Sequence, residues 1–260
     1  MNKRQQIILL TFLIFLLFAI NYRIIDGKIT EFLKDYEYKQ VERIIDGDTI
    51  VVENNTHIRL LGINTPEKGE QYSNEARNFL SELILNKTIR IEYGKERYDK
   101  YKRTLAYVIL NGKNINIELI RNGFANAYIY DNDEYSSKLR TAWKECIASE
   151  KNLCEKSNDE CTICIELKNL DVKNQIVVLD NNCNFKCDLT NWEIKDEGRK
   201  KFVFQNFVLD GNSKVSIIVG NKTNTEDILY WKDKDYVWTS TGDTLFLRDE
   251  EGRLVLWKNY

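Results

Sequence analysis

Proline occurs once in this 260-residue chain, at Pro66, and glycine only twelve times. A sequence so poor in both carries no collagenous, linker-rich or low-complexity segment, and it holds no internal repeat. Charge offers no bias: 38 basic side chains against 40 acidic ones leave a formal net charge of −2. There is no bulk attraction to polyanions, so any nucleic-acid site has to be a local basic patch. The single histidine, His57, lies in a turn-like NNTHI and needs no role. What remains is a globular composition, 43% hydrophobic and 30% charged, in a chain long enough for two domains of ordinary size.

The amino terminus differs in kind. Lys3 and Arg4 precede IILLTFLIFLLFAI, residues 7–20, an apolar run broken only by Thr11. As a helix it spans roughly 21 Å, short of the roughly 30 Å hydrocarbon core but typical of a signal-peptide apolar region. Asn21, Tyr22 and Arg23 extend it into the interface, and no small-x-small cleavage site stands near Ala19. Residues 1–25 therefore read as a signal-anchor in preference to a cleaved signal peptide, with the membrane as its partner and everything downstream outside the cell. Residues 26–39 read as a polar stalk.

From about residue 40 the pattern becomes β. QVERIIDGDTIVVENNTHIRLLGIN reads as strand, bend, strand, Asn-Asn turn, strand. Helical spacing of Tyr72, Ala76, Phe79, Leu80 and Leu83 marks a helix, TIRIEYG and TLAYVIL are two further strands, and NIELIRNG and SSKLRTAWKECIASEKN are two more helices. A strand meander with helices packed on it suggests a small closed barrel with caps. Within it RIIDGDTI sets Asp46 and Asp48 either side of Gly47. On a regular strand the two carboxylates share a face and repel. The pair is either a cation site or an Asp-Gly turn in which one acid caps the bend.

Four stretches in register, RIIDGDTI (43–50), IRLLGINTPE (58–67), YDKYKRTLAYV (98–108) and NIELIRNGFANAY (116–128), make residues 40–154 similar to the staphylococcal nuclease family. The resemblance implies an oligonucleotide-binding five-stranded barrel with three helices, and hydrolysis of DNA and/or RNA with calcium, leaving 3′-phosphate ends. It implies that Asp48 ligates calcium together with Asn64 and the Thr65 carbonyl, with Asp46 as a second nearby acid. That suits a hard cation that wants six to eight oxygens. It further implies that Arg59 and Arg103 clamp the scissile phosphate, their planar forks fitting its oxygens, and that Glu67 positions or activates the attacking water. Lys100, Tyr101 and Tyr128 match positions that contact nucleotide phosphate and base, with barrel or loop packing the alternative for Tyr128. One departure stands out: many members carry aspartate where this chain has Asn64, which removes a charge and predicts weaker calcium binding.

Residues 155–164 read as a polar, cysteine-bearing hinge. Beyond it, residues 165–260 show some six short strands with regular turn signals, the pattern of an all-β sandwich. Through CDLTNWEIKD, FVLDGNSKVSIIVG and VWTSTGDTLFLRDEEGRLV this part is similar to lamin tail domains, a resemblance that implies an immunoglobulin-like fold without a catalytic centre. Trp192 and Trp238 read as core or rim aromatics, and GDT at 242–244 as a turn. Cys146, Cys154, Cys161, Cys164, Cys183 and Cys187 are even in number, as disulfides in an exported chain require. C-x2-C at 161 and C-x3-C at 183 leave zinc open. The whole is expected to be an extracytoplasmic, calcium-dependent nuclease; the alternatives are a non-catalytic nucleic-acid-binding module and a cell-surface scaffold.

Overall fold

The computed structural model describes residues 2–33, 36–129 and 133–260, and the chain divides into two compact units, residues 1–37 and 38–260. The first unit is largely one helix, α1 (Lys3–Leu33). Its stretch Lys3–Tyr22 has a mean hydropathy of 1.9 and is unburied, so it is long and apolar enough to cross a bilayer. The expected stalk is not a separate element: residues 26–33 continue the helix, 34 and 35 lie outside the described residues, and strand begins at Glu37.

The second unit opens with a barrel of β1 (Glu37–Ile44), β2 (Thr49–Val52), β3 (Thr56–Leu60), β5 (Thr88–Tyr98) and β6 (Thr104–Leu110). Short pieces β4 (Ile63–Asn64), β7 (Lys113–Asn114) and β8 (Asn126–Ala127) flank it. The sheet runs β3-β2-β1-β5-β6 and closes where β6 returns parallel to β3, Ile58 opposite Thr104 and Arg59 opposite Leu105. Closure removes the open edges and encloses Ile50, Val52, Ile58, Leu60, Ile89 and Val108. Helix α2 (Ser73–Ile84) buries Ala76, Leu80 and Ile84, one residue per turn on a single face. Helix α3 (Ile115–Arg121) is capped by the Asn114 side chain, which accepts from the Ile117 amide. It ends at Gly123, whose φ of +70° and a carbonyl of Lys151 only 2.2 Å from any added Cβ require glycine. Helix α4 (Ser136–Ser149) covers the end of the barrel with Leu139, Ala142 and Trp143.

Residues 165–260 form a sandwich of two four-stranded sheets. With β9 (Ile165–Asp171), β10 (Ile176–Asn181), β15 (Ser213–Val219) and β16 (Ile228–Trp231), one sheet runs β16-β15-β10-β9. The other, β13-β12-β17-β18, uses β12 (Glu193–Lys195), β13 (Lys201–Val203), β17 (Thr244–Arg248) and β18 (Leu254–Asn259). β11 (Cys187–Asp188) and β14 (Val208–Leu209) pair at one end. Alternation works as the sequence suggested: Val177 and Leu179 of β10 and Val215 and Ile217 of β15 face Ile194, Leu245 and Leu247 of the other sheet, with Trp192 and Trp238 in the same core.

Barrel and sandwich each have a core of their own, but the two are packed together and not merely tethered by a hinge. Trp143 of α4 meets Phe246 and Trp257 edge-on at 5.5 and 6.0 Å between ring centroids. Phe246 and Leu254 belong to the same buried cluster as the barrel interior. Buried Arg248 donates to the Leu153 carbonyl at 2.8 Å and to that of Gly252 at 3.0 Å, and its guanidinium, desolvated, is pushed down to about 10. The expected hinge is fastened as well. The amide of Leu254 donates to the Glu155 carbonyl and that of Ser157 to the Leu254 carbonyl. All six cysteines are joined in pairs: Cys146–Cys154, Cys161–Cys187 and Cys164–Cys183.

Candidate active site

The RIIDGDTI segment leaves β1 at Ile44, bends through residues 46–48 and re-enters as β2 at Thr49. Asp46 and Asp48 are thus neighbours across a bend, not members of one strand face. The Asp48 amide donates to Asp46 Oδ1 at 3.0 Å. Gly47 is required by close approach: any Cβ there would stand 2.9 Å from Ala76 of α2 and from the Thr65 side chain. Asp48 is 1% exposed. Its Oδ2 accepts from the Thr65 amide at 3.2 Å and the Thr65 hydroxyl at 3.1 Å and pairs with Arg59 Nη2 at 3.0 Å; its Oδ1 accepts from the Thr49 hydroxyl at 3.1 Å.

Arg59, also buried, is the hub. Nη1 donates to the Leu60 carbonyl at 2.6 Å, and Nη2 to the Ile63 carbonyl at 3.0 Å and to Asn64 Oδ1 at 2.8 Å. Burial lowers its pKa, Asp48 opposes, and Arg103 and Arg199 push the same way as burial. Parallel pairing of β3 with β6 brings the second arginine in, since β6 starts at Thr104 opposite Ile58 and Arg103 is the residue before it. Arg103 Nε donates to Asp99 Oδ2 at 2.7 Å and Nη1 to the Thr49 hydroxyl at 3.2 Å. Burial works to raise the Asp99 carboxyl, but hydrogen bonds and charge from Arg103 outweigh it and hold the group low. Arg103, Thr49, Asp48 and Arg59 form one continuous hydrogen-bonded chain. Lys100 and Arg103 lie 5.0 and 5.5 Å from the centroid of the exposed Tyr101 ring.

These groups open on a cleft of about 690 Å³, which Arg59, Asn64, Lys100, Tyr101, Arg103 and Tyr128 line from the barrel. Its other wall is the sandwich: the hairpin loop 196–200 between β12 and β13, with Tyr236 and Asp243. Glu67 lies in an adjoining recess of about 360 Å³, and Asn64, Gly198 and Arg199 line both spaces. Glu67 Oε1 meets Arg199 Nε at 2.5 Å. Asn64 Nδ2 donates to the carbonyls of Glu197 at 3.0 Å and Gly198 at 2.8 Å. No sequence motif assigns the sandwich a place in this cleft. The nearest signal in the sequence is KDEGRKK at 195–201, a glycine turn followed by three cations.

For a hard divalent cation such as calcium, the donors present are oxygens only, without thiolate or imidazole. Asp46 keeps contact with solvent, yet the protein crowded around it and the adjacent charge of Asp48 raise its carboxyl. That is the anionic crowding a cation relieves. Asp46, Asp48 and the Thr65 carbonyl therefore fit. Asn64 fits poorly, with its oxygen on Arg59 and its nitrogen on the tail loop. Among the described residues no three His, Cys, Asp or Glu come together in a metal-binding group, so carbonyl and water oxygens would complete the shell.

Residues 57–156 match the family model described as staphylococcal nuclease homologue, and residues 155–260 that of the lamin tail domain. A thermonuclease of Staphylococcus intermedius is 37% identical over 126 residues, 45% of this chain and 75% of that protein. The chain belongs to the staphylococcal nuclease family. The thermonuclease of Staphylococcus hyicus is 36% identical over 124 residues, 44% of this chain and 73% of its own length. Endonuclease YncB of Bacillus subtilis (strain 168) is 33% identical over 129 residues, 45% of this chain and 61% of that protein. The nuclease family model falls on the barrel, and the lamin tail model on the sandwich that supplies the second wall.

Proposed function

We propose that this chain is an extracytoplasmic, calcium-dependent nuclease that cuts DNA and/or RNA in the barrel cleft and leaves 3′-phosphate ends. It is a phosphodiesterase, and nucleic acid is its substrate. The observation that carries the reading is the chain Arg59–Asp48–Thr49–Arg103, which sets two arginines at one cleft with partners that fix their positions. Two such forks can bind a phosphate's oxygens and stabilise charge as it develops in the transition state. Glu67, half-exposed in the adjoining recess, is the carboxylate placed to orient or deprotonate a water. Lys100, Tyr101 and Tyr128 offer a cation and aromatic faces for the flanking nucleotides. Bound at Asp46, Asp48 and the Thr65 carbonyl, calcium would supply Lewis-acid charge. The apolar stretch Lys3–Tyr22 serves as a signal or anchor that sends the rest of the chain outside.

The test is turnover of the full chain on single- and double-stranded DNA, with calcium and with chelator, and end-group analysis of the products. Arg103→Lys keeps the charge but loses the fork, and should cut kcat by about 10²–10³ with the thermal unfolding curve unchanged. Turnover near that of the unaltered chain removes this cleft from the chemistry.

A further inference from the structure

The cleft has a second wall, wholly from the sandwich, that carries two cations beside three buried acids. Its hairpin loop is anchored at the base, where Asp196 Oδ1 accepts from the Lys200 amide at 2.8 Å, and at the tip, where Asn64 reaches across to two loop carbonyls. Asp196, Glu197 and Asp243 also line this wall, but they are buried and burial raises all three carboxyls, which favours their neutral forms. The cations that face the cleft are Arg199 and Lys200, with Lys200 Nζ 3.8 Å from the centroid of the exposed Tyr236 ring. Across the same space stand Lys100, Arg103 and the exposed ring of Tyr101. Cations interleaved with exposed tyrosines on two facing surfaces are what a single strand requires: charges follow the phosphates and rings take the bases. A space of about 690 Å³ also has the size that holds a nucleotide-sized ligand.

We infer that the tail domain is part of the substrate site. Arg199 and Lys200 bind phosphates flanking the scissile one, and Tyr236 stacks on a base, so the paired walls select single-stranded nucleic acid. Arg199 has a further effect on the recess beside the cleft. Its bond to Glu67 lies between side chains that are each about half exposed, 52% and 46%, and ion pairs of that kind are weak. A phosphate entering the cleft draws Arg199 away and leaves the Glu67 carboxylate free. Asn64, in this view, is an amide because its task is to donate to the loop, which a carboxylate cannot do.

This inference rests on the nuclease reading, and binding measurements separate the two. The full chain is titrated with a fluorescent single-stranded oligonucleotide at several salt concentrations, and KM and kcat are measured on the same strand. For Arg199→Ala with Lys200→Ala, the first exposed and the second half-buried on the same hairpin loop, the log–log salt slope should fall by about 1.4, because each single-strand phosphate contact contributes about 0.7. KM should rise about tenfold, with kcat within about threefold. The charge-preserving pair Arg199→Lys with Lys200→Arg should restore the slope. An unchanged slope and KM in the alanine pair, while the unaltered chain binds and cuts, overturns the inference and leaves the nuclease standing. If the unaltered chain neither binds nor cuts, both fall together.

Discussion

The barrel holds its arginines by surrounding them, whereas the sandwich presents its cations on the tip of a hairpin. Arg59 and Arg103 are fixed by Asp48, Thr49, Asp99 and backbone carbonyls; Arg199 is more than half exposed and has one exposed carboxylate as partner. Groups that stabilise a transition state gain from being rigid and partly desolvated, since no reorganisation is left for the moment of reaction. Groups that recruit a polymer gain from reach. The two walls are therefore suited to different steps, and joining them is the work of the apolar contact between Trp143, Phe246 and Trp257.

Cutting that contact breaks the comparison most severely. Phe246 is 1% exposed and sits in the barrel's own core cluster although it belongs to β17 of the sandwich. Phe246→Ala should cost about 3–5 kcal/mol. Urea unfolding followed by barrel and by sandwich probes should then move to lower denaturant in one shared transition. Two separated transitions, with the barrel unmoved, would mean that the lobes are independent after all. Deleting residues 165–260 is accordingly expected to damage the barrel itself, and not merely its access to long substrates.

Local features were readable and docking was not. The barrel strands follow from β-branched runs in RIIDGDTIVV and TLAYVIL, and both arginines lie in short motifs whose geometry depends on one parallel pairing, β3 with β6. Asn64 is the opposite case. By resemblance it stands where many family members carry aspartate; its oxygen meets nearby Arg59, but the partners of its nitrogen lie 133 and 134 residues further on, and nothing local announces them. Trp143 and Phe246 look like any buried aromatics until the lobes meet. Six cysteines permit fifteen pairings, and only the folded distances choose among them.

Asn64→Asp sharpens the same point with a smaller effect. If position 64 were chiefly a metal ligand, restoring the carboxylate would tighten calcium. In this structure the substitution removes two donated bonds and sets a negative charge against the carbonyls of Glu197 and Gly198. A cost of about 1–3 kcal/mol to the metal-free chain follows. Calorimetric calcium titrations beside urea midpoints decide between the two: tighter calcium with unchanged stability would make Asn64 a ligand position, and lost stability makes it a clasp.

The finest test alters one proton behind the hairpin. Glu197 follows Asp196 in the loop; its Oε2 accepts from the Thr244 hydroxyl at 3.0 Å, and its surroundings hold Asp243, Asp196 and Arg140. Burial first, then the charge of Asp243, raise its carboxyl to about 8, and burial raises that of Asp196 to about 6. An acid whose folded pKa exceeds its unfolded value binds more protons when folded, so the slope of stability with pH is negative between the two values. For Glu197 that window runs from the ordinary 4.5 to about 8. Stability of residues 38–260 should therefore decline as pH rises through neutrality, and the hairpin should sit most firmly in mild acid. Glu197→Gln keeps the shape and removes the ionisation: the urea midpoint should then stop declining above about pH 6, the upper end of the window in which Asp196 titrates. A variant whose midpoint still falls between pH 6 and 8 as steeply as before would assign the titration to Asp243, whose carboxyl burial also raises, and would leave Glu197 as an uncharged bystander of the cleft.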